Sequence, residues 1–233
     1  MALFEDPRFV SATAPAAVRL FPLPNLVLFP QVVQPLHVFE SRYCDLVEDA
    51  LSSDGLVAMG LLQPGWERDY EGRPQVWPVV CVGQIISHHR LPDGRFNLLL
   101  QGTYRAAIQR ELAPSTAFRQ VEVDRLDDYY PASGKAARPA LQQRMAELAR
   151  ELLPARSVVC KEVDELLSSQ IPLGVLCDVF AYMLGLPLSV KQRLLAEWNV
   201  DRRATLLMDR LASRCEEPPA SQGLKIPPPF SLN

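Results

Sequence analysis

Val79–Leu100 reads VVCVGQIISHHRLPDGRFNLLL: two apolar runs on either side of Leu91-Pro-Asp-Gly-Arg95. Asp-Gly between apolar runs is a strong short-range hairpin signal, because these residues accept the backbone angles of a tight turn. Strands are therefore expected over Pro78–His88 and Phe96–Leu100. Working outward, Leu56–Leu62, Gly102–Leu112 and Phe118–Leu126 read as further strands. In the last of these, Val121 and Val123 alternate with Glu122 and Asp124, the mark of a half-exposed face. Nearer the N-terminus, Arg19–Leu23, Leu26–Phe29 and Val32–Phe39 are extended runs punctuated by Pro22, Pro24 and Pro30. Proline has no amide donor, so these runs belong at sheet edges, strand starts or bulges. One helical stripe interrupts them: Tyr43, Leu46, Val47, Ala50 and Leu51, with Gly55 placed to end it. Gln63–Trp77 is a polar loop with embedded aromatics.

After Tyr129-Tyr-Pro-Ala-Ser-Gly134 the period changes to helical. Apolar stripes run through Leu141, Met145, Leu148, Ala149 and Leu152, then Val159, Val163, Leu166 and Leu167, then Leu173, Leu176, Cys177, Phe180, Ala181 and Leu184. Ser189, with Gln192 three residues on, is expected to cap a fourth helix, and Asp201 a fifth. Strands first and helices second predict an α+β chain. A strand subdomain spans 16–130, a helical bundle 136–215 and a flexible proline-rich tail 216–233.

The chain has 233 residues, 48% hydrophobic and 22% charged, which is ordinary for a soluble globular protein. Its net charge is −3, and residues 1–130 carry 11 arginines and no lysine against 16 acidic residues. An acidic strand half argues against nucleic acid as a partner. Glu5, Asp6 and Pro7 stand where a secretory leader would need apolar residues. Ile171–Val190, the best candidate for a membrane span, is interrupted by Asp178, two prolines and two glycines, and its helical stripe marks it as a buried soluble helix. Cys44, Cys81, Cys160, Cys177 and Cys215 have neither zinc-ligand nor redox spacing, so a cytoplasmic location is expected.

Motifs for chemistry are missing. Ser133-Gly134-Lys135-Ala136 lacks the first glycine and the final hydroxyl of a phosphate loop, and there is no Gly-x-Ser-x-Gly elbow. His88 and His89 are adjacent on a strand, so one should face inward and one outward rather than converge. A Cys–His pair of His37 and Cys44 has Cys44 beside an apolar stripe. No catalytic residue, cofactor or metal is assigned. Trp66, Tyr70 and Trp77 sit among Arg68, Asp69, Glu71 and Arg73. Such aromatics either latch a loop onto its barrel or anchor a partner.

Leu20-Phe-Pro-Leu-Pro-Asn-Leu-Val-Leu-Phe-Pro30, followed by Pro35-Leu-His-Val-Phe-Glu-Ser-Arg-Tyr43, resembles the opening of the Lon protease N-terminal domain. Gly83-Gln-Ile-Ile, Leu91–Arg95, Gly102-Thr-Tyr-Arg105 and Leu176–Leu211 continue that resemblance in order, over roughly residues 16–215. It implies a PUA-like β-barrel subdomain followed by an α-helical bundle. It also implies binding of unfolded or client polypeptides, with a cellular protease as a further partner and an adaptor or holdase role in protein quality control. The ATPase and Ser–Lys protease modules of Lon proteases have no counterpart in the sequence, so no enzymatic activity carries over. The expected contact residues are Phe29, Pro30, Phe39, Trp66, Tyr70 and Trp77. Two alternatives stand beside this: an RNA-binding PUA-like protein, and a hydrolase built on His88 or His89.

Overall fold

The computed structural model describes residues 16–70, 72–152, 171–215 and 231–232. The described residues divide into two compact units, one within 16–127 with 231–232, the other within 128–215.

The first unit contains β1 (Ala16–Leu23), β2 (Val33–Val38), α1 (Ser41–Leu51), β3 (Leu56–Leu61), β4 (Val79–Arg90), β5 (Phe96–Glu111), β6 (Arg119–Leu126) and a two-residue β7 (Ser231–Leu232). The sheet runs β4-β3-β1-β6-β5-β2-β7, and β4 also pairs with β5. That extra pairing closes β4, β3, β1, β6 and β5 into a barrel and leaves β2 attached to the free stretch of β5. Closure relies on register shifts at which Ile86, Thr103 and Gln109 are the extra residues. Bulges of this kind supply the local bend and twist that a small barrel needs. The inward side chains Val18, Leu20, Ala58, Val80, Val82, Ala106, Val121 and Val123 fill the barrel.

Two sequence expectations change here. Leu26–Phe29 is not a strand: Val27, Leu28 and Phe29 are buried on an irregular segment. Gly102 does not divide two strands. β5 runs through it from Phe96 to Glu111. Between β4 and β5, Leu91 N–H donates to the Arg95 carbonyl (2.8 Å) and leaves a three-residue turn, Pro92–Gly94. Gly94 N–H donates to the Leu91 carbonyl (2.9 Å), and Gly94 takes φ 86°, the left-handed conformation that ends such a loop.

α1 packs on the barrel through Tyr43, Leu46, Val47 and Ala50, all buried, with the Tyr43 ring 4.4 Å from that of Phe21. Arg19 on β1 ties the end of this helix down. It donates to the Asp49 carboxylate and to Asp54 (2.7 Å).

The second unit contains α2 (Arg138–Leu152), α3 (Leu173–Met183), α4 (Leu188–Ala196) and α5 (Val200–Cys215). The stripe expected at Val159–Leu167 lies outside the described residues. The caps differ from expectation. α4 starts directly after Pro187, whose fixed φ suits a helix start, and Ser189 falls inside the first turn. At α5 the cap is Asn199, whose Oδ1 accepts from the amides of Asp201 (3.1 Å) and Arg202 (3.2 Å). Asp201 instead takes Arg138 (2.8 and 3.0 Å).

The unit's most buried large side chain is a charge. Arg203 is fully buried and donates to both oxygens of Asp128 (2.9 and 2.7 Å) and to the Glu197 carbonyl (3.0 Å), with Asp178 at 3.6 Å. Burial works against the guanidinium charge, but Asp178 and Asp128 outweigh it and hold its pKa above the ordinary value. No described helix is long and apolar enough to cross a membrane.

Candidate functional site

The exposed large apolar side chains of the first unit lie along β2 and the adjoining parts of β5 and β4. Val33 is 39% exposed, Phe39 47%, Ile86 48% and Leu99 36%. The pleat explains the grouping. In β2, Gln34, Leu36 and Val38 are buried, so Val33, Pro35 and His37 lie on the opposite, outer face, and Phe39 continues the alternation. Pro35 is opposite Leu99 of β5, and Leu99 is opposite Ser87 of β4. Ile86, the extra residue of its bulge, adjoins that row. His37 and Asn97 form the polar end, with Nδ1 and Oδ1 2.7 Å apart, and the Phe39 ring lies 6.0 Å from that of His37. The result is an apolar outer surface rimmed by polar groups, on a three-stranded support. Exposed apolar patches with a polar rim are a general feature of interaction surfaces, which makes this face the candidate site.

The sequence-derived contact residues divide three ways. Phe39 lies on this surface. Phe29 and Pro30 do not: both are buried, and Phe29 is fully enclosed beside β5. They are withdrawn as contacts, because the apolar run they belong to packs into the unit's own core. Trp66, Tyr70 and Trp77 are half-buried on the 63–77 loop. Tyr70 latches that loop to the start of α1. Its hydroxyl donates to Glu40 Oε1 (2.5 Å), its ring meets Trp66 edge-on at 5.4 Å, and Arg42 lies 4.9 Å above it. Burial and the Glu40 hydrogen bond raise the Tyr70 pKa. Arg42 also donates to Glu40 (2.9 and 3.1 Å), so Glu40 and Arg42 form an ion pair at the helix start. At the loop's far end, Trp77 N–H donates to the Leu61 carbonyl (2.9 Å). Arg73 (2.7 Å) and Arg119 (2.7 and 2.9 Å) converge on Glu111, and Arg119 also reaches the Pro74 carbonyl (2.8 Å).

Val33, Ile86 and Leu99 were not legible as surface residues in the sequence. Val33 stood inside an extended run whose two faces could not be told apart. Ile86 and Leu99 sat in continuous apolar runs with no alternation to mark an exposed face.

The groups considered for chemistry are dispersed. His88 and His89 are both exposed rather than one in and one out, because residues 86–90 reach past the barrel into solvent. The Cys44 thiol lies 3.8 Å from the Val38 carbonyl, and burial raises its pKa, the opposite of what activates a nucleophile. Among the described residues, no three His, Cys, Asp or Glu side chains cluster as a metal would require.

The chain thus comprises a closed barrel with an attached β2, an aromatic loop latched to α1, and a helical second unit. The family model of the ATP-dependent protease La (LON) substrate-binding domain matches residues 17–213. The chain belongs to this family. The curated relatives it resembles include the Lon protease of Trichlorobacter lovleyi, 28% identical over 208 residues, covering 87% of this chain and 24% of the relative. Lon protease 2 of Myxococcus xanthus is 25% identical over 202 residues, with the same coverages. The chain thus spans about a quarter of the length of these Lon proteases, and the match lies in the Lon substrate-binding domain.

Solved structures agree on the fold. The N-terminal domain of the Mycobacterium avium complex Lon protease superposes with a TM-score of 0.66 at 17% identity, covering 84% of this chain and 98% of that one. A Lon N-terminal domain protein from Xanthomonas campestris gives 0.57 at 23%, covering 83% and 98%. The Lon-type fold, an α+β combination of barrel and helical bundle, is therefore as the sequence predicted.

Proposed function

We propose that the protein is a non-catalytic module that holds unfolded client polypeptides, acting in the cytoplasm as an adaptor or holdase in protein quality control, with a cellular protease as downstream partner. The observation that carries this is the apolar outer face formed by Val33, Phe39, Ile86 and Leu99 on a domain of the Lon substrate-binding family. An apolar surface with a polar rim suits segments that a folded protein would bury, and it needs no sequence code to recognise them. Trp66 and Trp77, half-buried on a latched loop, are proposed as secondary contacts.

The test is complex formation with a reduced, carboxymethylated polypeptide that cannot refold, followed by fluorescence anisotropy at micromolar protein. Binding that persists as salt is raised is expected, because apolar contacts are not screened. Labelled single-stranded RNA, titrated in parallel at two salt concentrations, tests the alternative, whose binding would weaken steeply with salt. No complex with the polypeptide, or a salt-sensitive complex with RNA alone, would refute the proposal.

A further inference from the structure

β2 presents a sheet edge as well as a face. Gly102 N–H donates to the Val32 carbonyl (2.8 Å), and Val33 is opposite Gln101. Peptide groups alternate in direction along a strand. The even-numbered residues of β2 therefore turn their peptide groups toward β5, and Val33, Pro35 and His37 turn theirs toward the opposite edge. Pro35, which has no N–H to offer β5, falls on the outward side, where proline is tolerated. Its carbonyl accepts from Gln34 Nε2 (2.7 Å).

This edge has an occupant from the chain itself. Ser231 and Leu232 pair with it in parallel, opposite Leu36 and His37. Two residues are a short claim on an edge, since typical strands run to about five or six residues. The β2 residues whose peptide groups face the edge are also those whose side chains form the apolar outer face. A longer strand placed there would gain main-chain hydrogen bonds and set its own outward side chains beside Val33, Pro35 and His37 of the neighbouring strand. Main-chain pairing of this kind gives affinity without sequence specificity.

We propose that the free edge of β2 is a strand-addition site, where an extended client segment docks in parallel to β2 and displaces the chain's own Ser231–Leu232, which acts as a resident competitor. This rests on the polypeptide-binding function proposed above and specifies its geometry.

The experiment uses the full chain and a fluorescent peptide of about ten residues, alternating valine and threonine between terminal lysines. A second peptide of the same sequence is N-methylated at every internal residue, which removes the donors on both edges and leaves every side chain in place. A variant carrying Ser231→Pro and Leu232→Pro lacks the tail's donors. The unmodified peptide is expected to bind at least about tenfold more tightly than the methylated one, whose donors are lost. The proline variant is expected to bind the unmodified peptide about fivefold more tightly than the native chain does, since its edge is no longer occupied. Equal affinity for the two peptides would overturn strand addition and leave client binding through side chains intact. Equal affinity of native chain and proline variant would overturn the competitor role. Failure to bind either peptide, while the carboxymethylated polypeptide still binds, would also overturn strand addition alone. If that polypeptide fails too, the proposed function falls with it.

Discussion

Gly102 and Phe29 meet at backbone distance: a Cβ on residue 102 would stand 2.0 Å from the Phe29 carbonyl oxygen. No side-chain rotation relieves that clash, because the opposing atom is main chain. Around it, Gln31 N–H donates to the Gly102 carbonyl (2.8 Å) and Gly102 N–H to Val32 (2.8 Å), so the segment leading into β2 is fastened to β5 at this point. The position of the candidate surface depends on that fastening.

Gly102→Ala is therefore expected to destabilise the first unit by about 2–3 kcal/mol, the scale of forced overpacking. Urea denaturation followed by tryptophan fluorescence measures it. A midpoint equal to that of the native chain would contradict the close approach.

Arg203→Met removes the partner of two carboxylates in the helical unit. Asp178, 2% exposed, would lose the guanidinium that lies 3.6 Å from it. The expected cost is about 3–5 kcal/mol, as for other broken buried pairs. Thermal unfolding followed by circular dichroism should show it, and a loss below about 1 kcal/mol would mean that the pair behaves as a surface one.

Lys191 makes stability depend on pH in a defined window. Its Nζ donates to the Tyr182 carbonyl (3.0 Å), and burial lowers its pKa to about 8, against the ordinary 10.5. Between those values the unfolded chain keeps a proton that the folded chain has lost, so stability rises with pH. Above about pH 10 the trend reverses. Burial raises the pKa values of Tyr43 and Tyr182, so tyrosines there ionise first in the unfolded chain. Denaturant midpoints measured from pH 7 to 11 should rise and then fall, and Lys191→Met should abolish the rise. A flat native profile would refute the assignment.

Tyr70→Phe tests the latch. Losing the hydroxyl bond to Glu40 should cost about 1 kcal/mol and make residues 63–75 the first site of limited proteolysis. Cleavage elsewhere first, at the native rate, would show that Tyr70 does not hold the loop.

Much of the architecture was legible because pattern and packing agree. The stripe from Tyr43 to Leu51 became α1, and Asp93-Gly94 became the turn between β4 and β5. The errors share a cause: local signals that longer-range contacts outweighed. Gly102 read as a break because glycine usually punctuates, yet here it is the one residue small enough to pass Phe29 inside a continuous strand. Phe29 and Pro30 were expected as contacts on the strength of the Lon-like opening segment, and they are buried. Asp201 read as a cap, but Arg138 claims its carboxylate and Asn199 caps α5 in its place. The candidate surface was only partly legible, through Phe39. Ile86 is exposed because a bulge shifts the register by one residue, and a bulge leaves no mark in a uniformly apolar run.

The central claim is that client polypeptide is held by the outer face of β2, β5 and β4. Its most direct test compares the native chain with a variant carrying Ile86→Glu and Leu99→Glu, both at exposed positions, for affinity toward the carboxymethylated polypeptide. The native chain should bind, and the variant should bind at least about tenfold more weakly, equivalent to about 1.4 kcal/mol, with its unfolding midpoint unchanged. Equal affinity for the two proteins, or no binding by the native chain, would contradict the account.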